Sequence, residues 1–229
     1  MRYLILSLFS FLAFSLNGQT NKVNEVQKLI TSFSESQDVT LIPQAQKLVS
    51  EIFEDRAALK DPTRLCTKAQ VTSLALEHTD IDNPYQVCDE IEKTYASALA
   101  NDQKMQERNT ILNHIYNSKS AMRKLGNLAY EEENYESAFT YYQKLLKLND
   151  LEVAHPRHAS RDYSLKYTSG VYASLAGKKD EAARIYEELV EVEFPRVDMY
   201  DTLISYYTEK EKEADVKRIT RLKEERFPE

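Results

Sequence analysis

The chain has 229 residues, of which 42% are hydrophobic and 29% charged, and its formal net charge is −7. This composition supports a packed core and excludes wholesale disorder, while the negative charge argues against a nucleic-acid binder, which would present a basic face. Only 4 Gly and 6 Pro are present, too few for the many tight turns of a β-sandwich or barrel, so we predict an all-α fold.

The first eighteen residues have the pattern of a targeting segment. Arg2 precedes an apolar run from Tyr3 to Leu16, which is shorter than the ~20 residues of a membrane span. We therefore predict a cleavable secretory signal over residues 1–18, in preference to a retained N-terminal anchor, with cleavage after Gly18. The exported chain, periplasmic or secreted, would have a net charge of −8 after losing Arg2 and no stable membrane insertion.

Residues 19–84 are predicted to form N-terminal helical hairpins. Apolar residues recur there at intervals of three and four, the period of an amphipathic helix, over 23–33 and again over 48–53. The second of these helices is expected to continue to about Leu59. Asp61-Pro62 and Asn83-Pro84 are both helix-start signals, so each predicts a new helix.

Cys66 and Cys88 would lie on these two new helices, predicted over 62–78 and 84–100. An even number of cysteines in an exported chain favours a disulfide. If the helices are antiparallel and unbroken, however, the heights of the two cysteines above the connecting turn differ by roughly 15 Å, at ~1.5 Å per residue. A disulfide needs Cα atoms within ~7 Å, so we predict separate thiols.

The segment from Leu125 to Asp150 carries the most informative pattern in the chain. A Leu-Gly pair and an aromatic residue on one predicted helix are followed by an Asn-Tyr corner and by small, aromatic and apolar positions on the next. These residues are Leu125, Gly126, Tyr130, Asn134, Tyr135, Ala138, Tyr142, Leu145 and Leu148. In this pattern the sequence resembles the tetratricopeptide repeat family, in which small residues let two helices cross closely.

A second copy of the pattern supports the resemblance. Gly170 takes the small position of its first helix, while Ala182 and Tyr186 match Ala138 and Tyr142. The offset between copies is 182 − 138 = 44 residues, against a family period of about 34. The surplus falls in the polar stretch 152–162, which is interpreted as an inter-repeat loop.

The resemblance divides the remaining chain into repeats. The two clear repeats span 119–152 and 163–196. A weak repeat is predicted over 85–118, with Ile91 and Tyr95 on its first helix and Met105, Ile111 and Leu112 on its second. The polar segment 197–229 is predicted as a degenerate C-terminal repeat that caps the stack. The whole is expected to be a short right-handed solenoid of antiparallel helical hairpins.

The resemblance also implies where a partner would bind. In the family, the first helix of each repeat lines a concave groove, and the matching positions here are Arg123, Asn127, Tyr130, Tyr167, Val171 and Ser174. Arg123 and Asn127 stand where chaperone-binding members begin a carboxylate clamp. The next two repeats do not continue the clamp, because Tyr167 and Thr168, then Asp198 and Thr202, replace the expected amide and basic residues.

No catalytic, metal or cofactor-binding residue is predicted. His155 and His158 share the loop sequence HPRH but have no evident third ligand. Phosphate-binding loops, zinc-protease motifs and nucleophile elbows are absent from the sequence. The 15 Tyr are interpreted as core and half-buried filler, in preference to a ladder that stacks on a ligand.

Two functions from different classes follow from these observations. We favour an exported adaptor that binds a protein or peptide partner through the helical groove. The alternative is an accessory subunit or enzyme acting on envelope glycans or peptides, which would need two carboxylates of divergent pKa in a cleft. A structural or oligomerising role is the remaining possibility. The sequence names no partner.

Overall fold

A computed structural model of the protein describes residues 21–154 and 162–228, and within these ranges the chain is helical and contains no strand. The all-α prediction is therefore confirmed. None of the described helices is both long enough and apolar enough to cross a bilayer. The predicted signal over 1–18 and the histidines of the HPRH loop lie outside the described residues.

The chain divides into two compact units, Met1–Ala121 and Met122–Glu229. Unit 1 contains α1 (residues 21–36), α2 (Leu41–Ile52), a short 3-10 helix (Arg56–Lys60), α3 (Pro62–His78), α4 (Pro84–Asn101) and the first part of α5 (Arg108–Glu131). Unit 2 contains the rest of α5, then α6 (Tyr135–Val153), α7 (Tyr163–Leu175), α8 (Lys179–Glu191), α9 (Val197–Glu209) and α10 (Glu213–Arg226).

The two predicted helix starts in unit 1 are confirmed by their caps. The Asp61 side chain accepts a hydrogen bond from the backbone N–H of Arg64, and the Asn83 side chain accepts one from Gln86. Each satisfies a backbone donor that the first turn of a helix leaves without a partner. A proline follows each cap, where the missing N–H costs nothing.

The second predicted helix is shorter than expected. It ends at Ile52, and Leu59, expected near its end, lies instead in the 3-10 helix with 58% of its surface exposed. Asp55 explains the break, because its side chain accepts the Ala57 N–H at 2.9 Å and so starts a new turn. A side chain that bonds the local backbone in this way competes with helix continuation.

Helix α5 is one continuous 24-residue helix, and the predicted boundary between 118 and 119 falls inside it. Met105, predicted on a second helix of the weak repeat, lies in the loop before α5 with φ +55° and is exposed. Asp102 organises this loop, since its carboxylate accepts the N–H groups of Gln106 and Glu107. Between 108 and 131 no proline interrupts the helix.

The core of unit 1 includes a buried polar network. The Tyr95 hydroxyl lies 2.7 Å from the Ser118 hydroxyl, which lies 2.8 Å from that of Ser73, so hydrogen bonds link α3, α4 and α5. Cys66 and Cys88 are also buried here as free cysteines, and their separation as thiols stays a prediction. Burial raises the pKa of the Cys66 thiol to about 12.

Unit 2 consists of three successive hairpins whose corners share one backbone geometry. Glu133, Gly177 and Glu211 each have a positive φ, of 57°, 73° and 55°. The residue after each of them donates its N–H to a carbonyl five residues back, as in a Schellman motif. The corners are 44 and 34 residues apart, which confirms the predicted 44-residue offset and extends the family period into α9 and α10.

Close helix crossings in the first two hairpins depend on glycine and alanine. A Cβ at Gly126 would lie 2.8 Å from the Tyr142 ring, and one at Gly170 would lie 2.6 Å from the Tyr186 ring. Ala138 and Ala182 are fully buried on the opposing helices. The predicted small and aromatic positions therefore pack against each other in both repeats.

Candidate partner-binding face

The exposed side of the first helices of unit 2 holds all six predicted groove residues. We call it the first-helix face, and it comprises α5 from Arg123 onward, α7 and α9. Arg123, Asn127, Tyr130 and Ser174 are exposed, whereas Tyr167 and Val171 are half-buried. Neighbouring helices of this face are in contact. Helices α5 and α7 share the ring stack of Tyr130 and Tyr172, and Tyr167 of α7 is hydrogen-bonded to Asp198 of α9.

An aromatic stack forms the α5 side of this face. The rings of Tyr130 and Tyr172 are stacked with centroids 5.0 Å apart, and the edge of Tyr172 meets Tyr142 at 4.8 Å. The Tyr142 hydroxyl donates a 2.8 Å hydrogen bond to Asn127 Oδ1. Asn127 thus accepts a bond from its own hairpin, and this bond orients the side chain through Oδ1, whereas a carboxylate clamp would use the N–H groups of the same amide.

Tyr167 is likewise held by its neighbours. Its hydroxyl donates to the Asp198 carboxylate and accepts a 2.9 Å hydrogen bond from Arg196, whose guanidinium lies 4.5 Å from the ring centroid. Burial disfavours the charged form of Asp198, but the hydrogen bonds from Tyr167 and Arg196 outweigh it and lower the pKa of the carboxyl. An ionised acid thus stands where a clamp would place a basic or amide group.

The tyrosines on the repeat positions serve mainly as packing. Tyr142, Tyr172 and Tyr186 are buried, while Tyr130 keeps 43% of its surface exposed. Burial is the first cause that raises the pKa of both Tyr172 and Tyr186. The interpretation as core filler therefore fits the described tyrosines of the two repeats, and Tyr130 adds aromatic surface to the first-helix face.

A cleft between α7, α8 and α9 is the feature of this face that the sequence did not predict. It has a volume of about 350 Å³, and its lining includes Ser174, Lys179, Ala182, Asp201, Ser205 and Glu209. Ser174 is the one predicted groove residue among them. Asp201, Ser205 and Glu209 are four residues apart and therefore lie on one side of α9. This spacing is visible in the sequence, but polar residues at such intervals are common on any solvent-exposed helix.

Ion pairs with neighbouring helices surround this cleft. The Lys179 ammonium lies 2.9 and 2.7 Å from the two carboxylate oxygens of Glu209. Asp201 Oδ1 accepts a 2.6 Å hydrogen bond from Lys223 of α10. More than half of the side-chain surface of Asp201 is nonetheless exposed. The cleft therefore has a mixed polar rim and a small apolar floor at the buried Ala182.

Across residues 21–154 and 162–228, no three His, Cys, Asp or Glu side chains are grouped so as to hold a metal ion. His114 is half-buried in unit 1, and burial lowers its pKa. Its Nδ1 is buried without a hydrogen-bond partner.

No family model matches the chain, and no curated protein matches it. Among solved structures, it aligns with pilF of Pseudomonas aeruginosa at 14% identity and a TM-score of 0.36, covering 93% of this chain and 79% of that one. A putative kinesin light chain from Podospora anserina with nearly identical TPR-like repeats aligns at 12% identity and a TM-score of 0.34, covering 89% and 96%. A de novo designed helical repeat protein aligns at 12% and 0.36, covering 91% and 97%.

The packing of the chain itself defines its class. The paired small and aromatic positions, the repeated corner geometry and the 34-residue spacing of the last two hairpins make it a helical-hairpin repeat protein with tetratricopeptide-like hairpins in unit 2.

Proposed function

We propose that this chain is an exported binding protein that holds a protein or peptide partner on the first-helix face of unit 2. The observation that carries the proposal is that the first two hairpins have a packed side and an exposed side. The small and aromatic residues behind the face are buried, whereas the face itself presents Arg123, Tyr130 and Ser174 to solvent. The helices that carry these side chains are fixed by packing, which lowers the conformational entropy that this chain loses when a partner binds.

The side chains on the face suit peptide recognition. Tyr130 offers aromatic area on a ring already fixed by stacking against Tyr172, and rigid tyrosines are efficient contact residues. Other positions of the face carry hydroxyl, guanidinium and carboxylate groups, on Ser174, Arg123 and Asp201, that can form hydrogen bonds with a peptide backbone. The pattern of residues 1–18 supports export, because a basic residue, a short apolar run and small residues together are typical of a secretory signal.

Variants that test this proposal must change exposed side chains of the face without disturbing the packing behind it. Asn127→Ala would remove the acceptor of the Tyr142 hydroxyl and disturb packing, so it does not isolate binding. Arg123→Glu combined with Ser174→Arg changes only exposed side chains on the first-helix face. The matched control is Arg221→Glu combined with Ala214→Arg, which changes two exposed positions on α10, away from that face.

The measurement is capture of envelope proteins by each immobilised variant, with helical circular dichroism as a check on folding. We expect the face variant to lose the specifically captured partner at least about tenfold, since two anchors of one interface are changed. The control variant should retain it. Equal capture by wild type and the face variant would show that the partner binds elsewhere on the chain.

A further inference from the structure

We propose that the cleft between α7, α8 and α9 receives a cationic side chain, lysine or arginine, of the partner peptide. This inference rests on the proposed function, because it names the chemistry of one contact on the first-helix face. It is carried by a concave site with a small apolar floor, an open carboxylate and hydroxyl groups, all within unit 2.

The shape of the cleft fits an extended side chain. Ala182 and Ala183 form its buried floor, with 1% and 5% exposure, and they leave room that larger residues would fill. The Tyr206 ring forms part of the wall. An aliphatic stem of three or four methylenes can lie along such a surface while its charged head reaches polar groups at the rim.

The exposure of the charged groups, and not their number, favours a cationic ligand. The cleft is lined by two carboxylates, Asp201 and Glu209, and by the Lys179 ammonium, and Lys223 places a second ammonium 2.6 Å from Asp201. Both carboxylate oxygens of Glu209 already contact Lys179, so the ammonium is neutralised where an anionic ligand would need it. An anion would in addition meet the nearby Asp201 carboxylate, and the net charge of −7 on the whole chain favours approach of a cation.

Asp201 is the group expected to bind the cation. Lys223 contacts its Oδ1, but the Asp201 side chain is 57% exposed, so a second donor has access to the carboxylate. Ser174 and Ser205 line the same cleft and offer hydroxyl oxygens as further acceptors. An exposed ion pair such as Lys223–Asp201 contributes little to stability, so a ligand cation can replace Lys223 at low cost.

The test uses small probes on the full-length protein, followed by amide chemical shifts in NMR. The probes are N-acetyl-lysine methylamide, the arginine equivalent, and the norleucine and glutamate equivalents as controls. We expect the two cationic probes to give saturable shifts at Ser174 and Ser205, with dissociation constants of roughly 1–10 mM, the range of a single fragment contact. The norleucine and glutamate probes should give none.

Two variants change the cleft in opposite directions. Asp201→Asn should weaken the lysine probe at least about fivefold, whereas Lys223→Gln should strengthen it about two- to fivefold by removing the competing ammonium. Glu224→Gln, an exposed acid on α10, is the matched control and should leave binding unchanged. Circular dichroism confirms that each variant is folded.

The proposal is overturned if the glutamate probe shifts the same amides, or if Asp201→Asn binds the lysine probe as wild type does. Equal loss in Glu224→Gln would show general attraction to an acidic protein instead of a site. If these results arise while the face variant still loses its partner, the charge selectivity is wrong and the proposed function stands. If the lysine probe binds as expected but partner capture is insensitive to the face variant, the proposed function is wrong.

Discussion

Gly126 and Gly170 set how closely the helices approach in the two clear repeats. An added Cβ would lie 2.8 Å from the Tyr142 ring in one hairpin and 2.6 Å from the Tyr186 ring in the other. We expect overpacking to outweigh the gain of ~1 kcal/mol in helix propensity. Gly126→Ala and Gly170→Ala should therefore each lower the free energy of unfolding by about 1 kcal/mol or more, measured by denaturant titration, with Gly170→Ala the worse.

A double-variant comparison separates this steric effect from backbone strain. Tyr186→Leu removes the ring that Gly170→Ala would meet, so the cost of Gly170→Ala should shrink in that background. Gly177→Ala is the control, since nothing lies within 4 Å of its added Cβ and its cost comes from φ +73° alone. An undiminished cost of Gly170→Ala in the Tyr186→Leu background would mean that the close crossing is misassigned.

Ionisation of the Cys66 thiol should make the stability of unit 1 depend on pH. Burial raises its pKa from 9.0 to about 12 in the folded chain, so the unfolded chain loses this proton first. The stability from the neutral thiol is complete below pH 9 and is lost as the pH rises from 9 to 12. Burial also raises the pKa of Tyr95, which adds to the loss in the same direction.

We therefore expect the free energy of unfolding of the wild type to fall between pH 8 and pH 10.5, and the fall to be smaller in Cys66→Ala. In the folded protein at pH 8, both cysteines should resist alkylation because they are buried. After denaturation without reductant, two cysteines should be alkylated. Unmodified cysteines with a monomeric mass would reveal a disulfide and contradict the geometry of α3 and α4.

At the scale of the element, the hairpin corners place glutamate where glycine is favoured. Glu133 and Glu211 have φ values of 57° and 55°, while the equivalent corner uses Gly177. A residue with a Cβ is strained by about 1 kcal/mol at such φ values. A glycine substitution would relieve this strain but would also add conformational freedom to the unfolded chain, which offsets part of the gain. Glu133→Gly and Glu211→Gly should thus raise the free energy of unfolding by roughly 0.5 kcal/mol.

The adjacent Glu132 has no positive φ and provides the control. Glu132→Gly gains no relief from strain and adds only unfolded-state freedom, so it should be neutral or destabilising. Thermal melts of the three single variants compare them directly. If Glu133→Gly and Glu132→Gly melt alike, the corner geometry does not limit stability.

The sequence predicted best those elements whose ends are marked by local chemistry. Asp61-Pro62 and Asn83-Pro84 started helices as expected, because a capping side chain acts within one turn of its own position. The break at Asp55 was missed, since the same residue type also occurs inside helices. The continuity of α5 was missed because a repeat period imposed a boundary at 118, where Asn117 and Ser118 in fact lie inside the helix.

The candidate site was predictable only in part, for a related reason. The resemblance to the repeat family implied that Tyr130 and Ser174 lie on the exposed side of first helices, and both are exposed. Contacts between hairpins join residues far apart in sequence, such as Tyr167 with Asp198 and Tyr206 with Asp180. The period of a helix does not predict which charged residues of two hairpins pair with each other. The cleft between α7, α8 and α9 was therefore found only in the structure.

At the scale of the whole molecule, export remains a prediction from the first eighteen residues. Expression of the full chain in a host with a secretory pathway should release a protein whose intact mass corresponds to a start at Gln19. The physical reason is the short apolar segment with small residues behind it, which is typical of a cleaved signal. A secreted mass that retains residues 1–18 would contradict cleavage, and retention in the cytoplasm would contradict export.

Site-specific photo-crosslinking tests the central claim, partner binding on the first-helix face, most directly. A benzophenone amino acid is placed at Ser174, on the face, or at the exposed Arg221 on α10, and crosslinked species from the native envelope are identified by mass spectrometry. We predict a discrete partner crosslinked from position 174 and absent from position 221, and its yield should fall when Arg123→Glu is added. The same species crosslinked equally from both positions, or only from position 221, would contradict binding on this face.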